Sequence, residues 1–182
     1  MARTSAWRSS PGALPFDPVV NADIDPELAA DIVWFDAFIT NVDRSPRNVN
    51  LLVQGGRIWM IDHGASLYFH HRWEGWRDRI QSRFAPIKDN VLLHLAGDLN
   101  EADRRLRPTL TTAALQRAVA QIPDSWLGDE EDEFPDIERH REGYVEYLQE
   151  RLNGPREWLD EAIEAKTRGP QKHATRVTRR VV

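Results

Sequence analysis

A chain of 182 residues is long enough for one domain with a substantial core and too short for two large ones. Its composition, 41% hydrophobic and 29% charged, is ordinary for a soluble globular protein. The absence of cysteine excludes a disulfide framework, a thiolate zinc site and a cysteine nucleophile. The net charge of −5 conceals an asymmetry: from Lys166 onward there are six cations and no acid, so residues 1–165 carry −11 against +6 in the tail.

Residues 1–20 are rich in Ser, Pro and Gly and are expected to be irregular. They lack the apolar core of a signal peptide, and no run in the chain approaches the roughly 20 apolar residues of a membrane helix. The expected location is cytoplasmic, with no membrane partner. Asp25 and Pro26 read as the cap and first turn of a helix over about 26–40, with Leu28, Ile32, Phe35 and Ile39 at helical spacing and Val33 and Phe38 widening the stripe. Pro46 forbids its continuation. Val49–Val53 and Arg57–Ile61, both β-prone, flank Gln54-Gly55-Gly56 and predict a hairpin. Helical spacing resumes after Pro86 around Val91, Leu92 and Leu95, and Glu101–Leu106 reads as another short helix. Thr111 or Thr112 caps a helix ending near Ile122. An acidic loop at 129–138 precedes helices at Ile137–Leu152 and from Pro155 through Trp158, Leu159 and Ile163. Residues 166–182 form a basic tail, expected to be disordered, whose only nucleic-acid attraction would be weak and salt-sensitive.

The informative run is DRSPRNVNLLV, a glycine turn, then IWMIDHG. It offers Asp43, Asn48 five residues on, and Asp62 beyond the hairpin. A base-like carboxylate, an amide metal ligand and a carboxylate metal ligand in that order suit phosphoryl transfer, which needs positioning and charge neutralisation more than covalent chemistry. Asp43 would orient the acceptor hydroxyl, and Asn48 and Asp62 would bind Mg²⁺, which prefers oxygen ligands. Arg44 and Arg47 flank the loop where phosphate charge would need screening, and His63 would line the loop near the acceptor. Asp, Asn and Ser are also ordinary turn residues, so Asp43 with Asn48 alone says little. The apolar helix before them and the apolar strands around the hairpin strengthen the reading. An ionised Asp62 behind Trp59, Met60 and Ile61 would be costly without a partner. The histidines at 63, 70 and 71 lack the spacing of a zinc site, and Ser66 lacks a nucleophile elbow. Trp73 and Trp76 are expected in the core.

The segment DAFITNVDRSPRNVNLLVQGGRIWMIDHGASLYFHHRW resembles the HipA-like kinase family, through the pattern N-x-D-R-x-x-x-N-x-N-L-L followed by I-D-H-G-A. It is most similar to a branch of short bacterial members, over about Pro11 to Ala165. The resemblance implies Asp43 as the catalytic aspartate and Asn48 and Asp62 as metal ligands. It also implies a mainly α fold with a small β-hairpin, like the C-terminal lobe of a protein kinase, over residues 21–165. Asp62 opens DHG where other kinases have DFG, so no Phe switch is available. Asn41-Val42 precede Asp43 in place of His-Arg, which removes the arginine that would hold a phosphorylated activation loop.

No Gly-rich phosphate loop is present, and Lys88, Lys166 and Lys172 all follow the catalytic run. The reading is therefore a catalytic lobe with its N-terminal, nucleotide-gripping lobe absent. Weak binding of ATP and Mg²⁺ is expected for this chain. Two functions follow. One is ATP- and Mg²⁺-dependent transfer, to Ser or Thr of a protein. The other is an inactive lobe acting as a protein-binding module, with a complementary lobe or partner chain on its apolar surface.

Overall fold

The computed structural model describes residues 12–127 and 134–169. Strand β1 (Leu14–Pro15) is followed by helix α1 (Pro26–Phe38), strands β2 (Leu51–Gln54) and β3 (Arg57–Met60), and short helix α2 (Trp76–Arg79). Helices α3 (Leu99–Leu106), α4 (Thr112–Val119), α5 (Ile137–Asn153) and α6 (Glu157–Arg168) complete the order. Residues 129–133 of the acidic loop expected at 129–138 lie outside the described residues; in its remainder Asp136 caps α5 through its carboxylate.

Helix α1 starts as its sequence dictates. Asp25 Oδ1 accepts the Glu27 N–H at 2.9 Å, and Pro26 occupies the first turn, where its missing N–H costs nothing. It ends at Phe38 because Thr40 turns left-handed at φ 54°. The apolar face is wider than the expected stripe. Ala29, Ala30, Ile32, Val33, Trp34, Asp36, Ala37 and Phe38 are all buried, whereas Leu28 is exposed. A helix buried almost all round is the centre of its domain. Helices α3 and α6 pack against it. Trp34 stacks on Phe38 at 5.5 Å, meets Trp158 of α6 edge-on at 5.4 Å, and donates its indole N–H to Asp103 of α3 at 3.0 Å.

The C-terminal end of α1 is held by Arg151 of α5, a fully buried guanidinium. Its Nε donates to Phe38 O at 2.8 Å and Nη2 to Ala37 O at 3.1 Å. Nη1 reaches Ile80 O at 2.6 Å and Ser82 O at 3.3 Å. A cation at a helix C-terminus meets the negative end of the helix dipole and satisfies carbonyls the helix leaves open. Burial pushes the Arg151 pKa down to about 10, which still leaves it protonated at neutral pH.

The sheet is antiparallel in the order β1-β2-β3, with Gln54 opposite Arg57 across a two-residue turn. Gly55 and Gly56 both have positive φ, as a type I′ hairpin requires. The N-terminal segment is less irregular than its composition suggests. Leu14 and Pro15 pair with Val53 and Leu52, and Phe16 donates to Leu51 O at 3.0 Å with its ring buried. Residues 91–95 form turns instead of the expected helix. The Val91 N–H is used by Arg44 O at 2.9 Å, and Asn90 Oδ1 captures the Leu92 N–H at 2.9 Å. Those donors tie this segment to the loop after α1 rather than to a helix of its own. Trp73 and Trp76 are buried and edge-to-face at 5.5 Å, as expected of core residues. Residues 166–168, expected in the tail, complete the last turn of α6, and 170–182 lie outside the described residues.

Replacing the Arg151 guanidinium leaves several buried carbonyls unpaired. Arg151→Met is therefore expected to destabilise the fold by about 3 kcal/mol, read as a lower urea midpoint at unchanged slope. An unchanged midpoint would show that the α1 terminus does not depend on it.

Candidate functional site

The loop between α1 and β2 carries Asp43 and Asn48, and a buried carboxylate organises it. Asp36, in the last turn of α1, accepts Arg44 Nε at 2.6 Å and Asn90 Nδ2 at 2.9 Å on one oxygen, and Asn41 Nδ2 at 2.9 Å on the other. Both side chains of the Asp36–Arg44 pair are fully buried. Arg44 spends its remaining donors on Asn50 O at 2.6 Å and on His63 Nε2 at 3.2 Å. The expectation that Arg44 screens phosphate is thereby corrected: its charge is neutralised inside the protein, and only Arg47 of the two presents a cation to solvent.

Asp43 lies between these anchors, half-buried. Its N–H donates to Asn41 Oδ1 at 3.1 Å, and its carboxylate accepts Asn48 Nδ2 at 2.6 Å. The five-residue spacing is closed by a turn over Ser45-Pro46-Arg47-Asn48. Pro46 stands at its second position, the Asn48 N–H bonds Ser45 O at 3.1 Å, and the Ser45 N–H bonds Asn48 O at 2.9 Å. Asn48 is exposed, and its amide nitrogen is committed to Asp43.

Asn50 joins the two halves of the site. In left-handed backbone at φ 48°, it donates its amide to Asp43 O at 3.0 Å, to Asp43 Oδ2 at 3.3 Å and to Asp62 O at 3.4 Å. Its carbonyl accepts the Ile61 N–H at 3.0 Å as well as Arg44. The hairpin thus leaves from Asn50 and returns to it, which brings Asp62 back to the loop that holds Asp43 and Asn48. Asp62 is itself left-handed at φ 47° and exposed, so the feared desolvation cost does not arise. Its Oδ1 accepts the Gly64 N–H at 3.3 Å, and a Cβ on Gly64 would stand only 3.3 Å from that oxygen.

His63 is half-buried. Burial first, and the Arg44 charge second, hold its pKa below 6.5, while Asp36 and Asp62 oppose them. A neutral ring accepting at Nε2 from Arg44 is the matching state.

A family model described as HipA-like kinase matches residues 6–160. The chain belongs to the HipA-like kinase family. No curated protein and no solved structure matches it. In this HipA-like chain the loop and hairpin bring together Asp43, Asn48 and Asp62, and Arg47 stands exposed beside them. Asp36, Asn41, Asn50 and Asn90 are the positioning residues that motif reasoning missed. The signal for Asp36 was its register, a carboxylate among the buried positions of α1. Among the described residues no three His, Cys, Asp or Glu side chains form a group that could hold a metal ion.

The His63 and His70 pKa values are both held below 6.5 in the folded chain, by burial foremost. The unfolded chain therefore takes up protons first as the pH falls. Their contribution to stability is present above pH 6.5 and is lost as the pH drops below it. His63→Gln is expected to reduce the slope of unfolding free energy against pH on the acid side, leaving the part due to His70. An identical slope would contradict the environment described for His63.

Proposed function

We propose that the chain carries out ATP- and Mg²⁺-dependent phosphoryl transfer to a Ser or Thr hydroxyl of a protein, with residues 21–165 acting as a kinase-type catalytic lobe. The observation that supports this best is the 2.6 Å contact between Asn48 and Asp43, clamped through Asn50 to the backbone of Asp62. Asp43 is the base or orienting group. Its free lone pairs accept the hydroxyl hydrogen, the oxygen attacks the γ-phosphorus, the bond to the bridging oxygen breaks, and ADP departs.

The donors available for a metal are all oxygen: the exposed Asp62 carboxylate and the carbonyl end of the Asn48 amide. Such a set fits Mg²⁺, which completes its shell with water and nucleotide phosphates. Bound there, the ion would neutralise charge on the transferred phosphoryl group. One carboxylate and one amide hold a metal weakly without nucleotide, and the chain's lysines all follow the site in sequence. Weak affinity for Mg-ATP is part of the proposal.

A second reading, a lobe that binds a partner protein, draws on Trp59. This residue is 52% exposed on β3 opposite Leu52, an apolar pair on the outer side of the sheet.

Incubation with radiolabelled Mg-ATP at millimolar concentration separates the two readings. Wild type is expected to transfer label, and Asp43→Ala and Asp62→Ala are each expected to lose about 100-fold or more. Transfer that persists in both variants would overturn the catalytic assignment.

A further inference from the structure

Beside the catalytic loop lies a groove of about 560 Å³, walled by the outer side of residues 42–47, the segment 86–94 and the end of α6. Its charge runs against that of the molecule. The chain carries −5 in sum, yet Arg47, Lys88 and Arg168 line this groove against the single acid Asp89. Arg168 is anchored by Glu161 at 2.7 Å. Neither Arg47 nor Lys88 has an ion-pair partner among the described residues. Two unpaired cations facing one cleft on an acidic body form a local anion site, since their fields add there and fade over roughly a Debye length elsewhere.

The groove borders the loop that carries Asp43 and Asn48, through their chain neighbours Val42 and Arg47. Arg47 immediately precedes Asn48, whose amide touches the Asp43 carboxylate at 2.6 Å. Val42, 44% exposed, stands on the other side of Asp43 and offers apolar contact along the same wall. An extended polypeptide that places a hydroxyl at Asp43 would carry its neighbouring residues past Arg47. We propose that this groove selects acceptor polypeptides with acidic residues beside the phosphorylated Ser or Thr, Arg47 and Lys88 pairing with their carboxylates. The proposal rests on the phosphotransferase reading for its purpose, but the binding itself does not depend on transfer. A long polyanion such as nucleic acid is disfavoured by the net negative charge of the chain.

The test uses the full chain and a fluorescein-labelled peptide of alternating Glu and Ser, with alternating Lys and Ser as its counterpart, followed by anisotropy. The acidic peptide is expected to bind at least about tenfold more tightly than the basic one, with affinity falling as salt is raised. Arg47→Glu and Lys88→Glu, singly, should each weaken the acidic peptide, and together they should abolish the preference. The assay contains no ATP, so a failure of phosphoryl transfer leaves the binding result intact. Equal affinity for both peptides overturns the proposal, as does a preference that survives both charge reversals. Tighter binding of a single-stranded oligonucleotide of equal charge would also overturn it, by showing a nucleic-acid site instead.

Discussion

Asp36 is a charge placed where water does not reach, and the site is arranged by the groups that compensate it. Removing a carboxylate and a guanidinium from water costs several kcal/mol each, and their attraction recovers this only with good geometry and with the remaining lone pairs and donors satisfied. Here Arg44, Asn41 and Asn90 supply donors to Asp36, while Arg44 turns its other nitrogens to Asn50 and His63. Such a pair adds little net stability. It fixes geometry, because any other course for the loop would strand a buried charge.

The fixed course explains how residues 19 apart in sequence share one site. Helix α1 is pinned in the core by Trp34 and at its C-terminal end by Arg151, so Asp36 has a set position. From Asp36, Arg44 is set, and from Arg44, the carbonyl of Asn50. Asn50 then bonds both Asp43 and the chain returning at Asp62. The exposed ends of this network, Asn48 and Asp62, are the ones that would meet metal and nucleotide, while its buried end carries none of the chemistry. Rigid support behind accessible groups is what transfer by positioning and electrostatics needs.

Local signals made much of this legible. Asp25-Pro26 and Gly55-Gly56 announce their cap and turn directly, the cap of α4 narrows to Thr111 or Thr112 and proves to be Thr111, and Asp43, Asn48 and Asp62 could be picked out as candidates by type and order. What stayed hidden depends on pairing across the fold. Arg44 looks like a surface cation until Asp36, eight residues earlier and buried in α1, is known to take its charge. The helix expected around Val91–Leu95 fails because Arg44 O and Asn90 Oδ1 claim the donors it would need. Leu14 and Pro15 become a strand only because β2 offers an edge to them. Asp36 itself was readable in retrospect, as the one charged residue between Ile32 and Val42.

Membership of the HipA-like kinase family suggests kinase-type chemistry, and the role proposed for Asp43 depends on the buried pair holding its loop in place. A double-mutant cycle on phosphoryl transfer tests this most directly, using Asp36→Asn and Asp43→Ala, singly and together, each confirmed folded by circular dichroism. If Asp36 acts through the placement of Asp43, Asp36→Asn alone should slow transfer by about tenfold or more. In the Asp43→Ala background it should then cost almost nothing further. Fully multiplicative losses, or no loss from Asp36→Asn, would contradict the account.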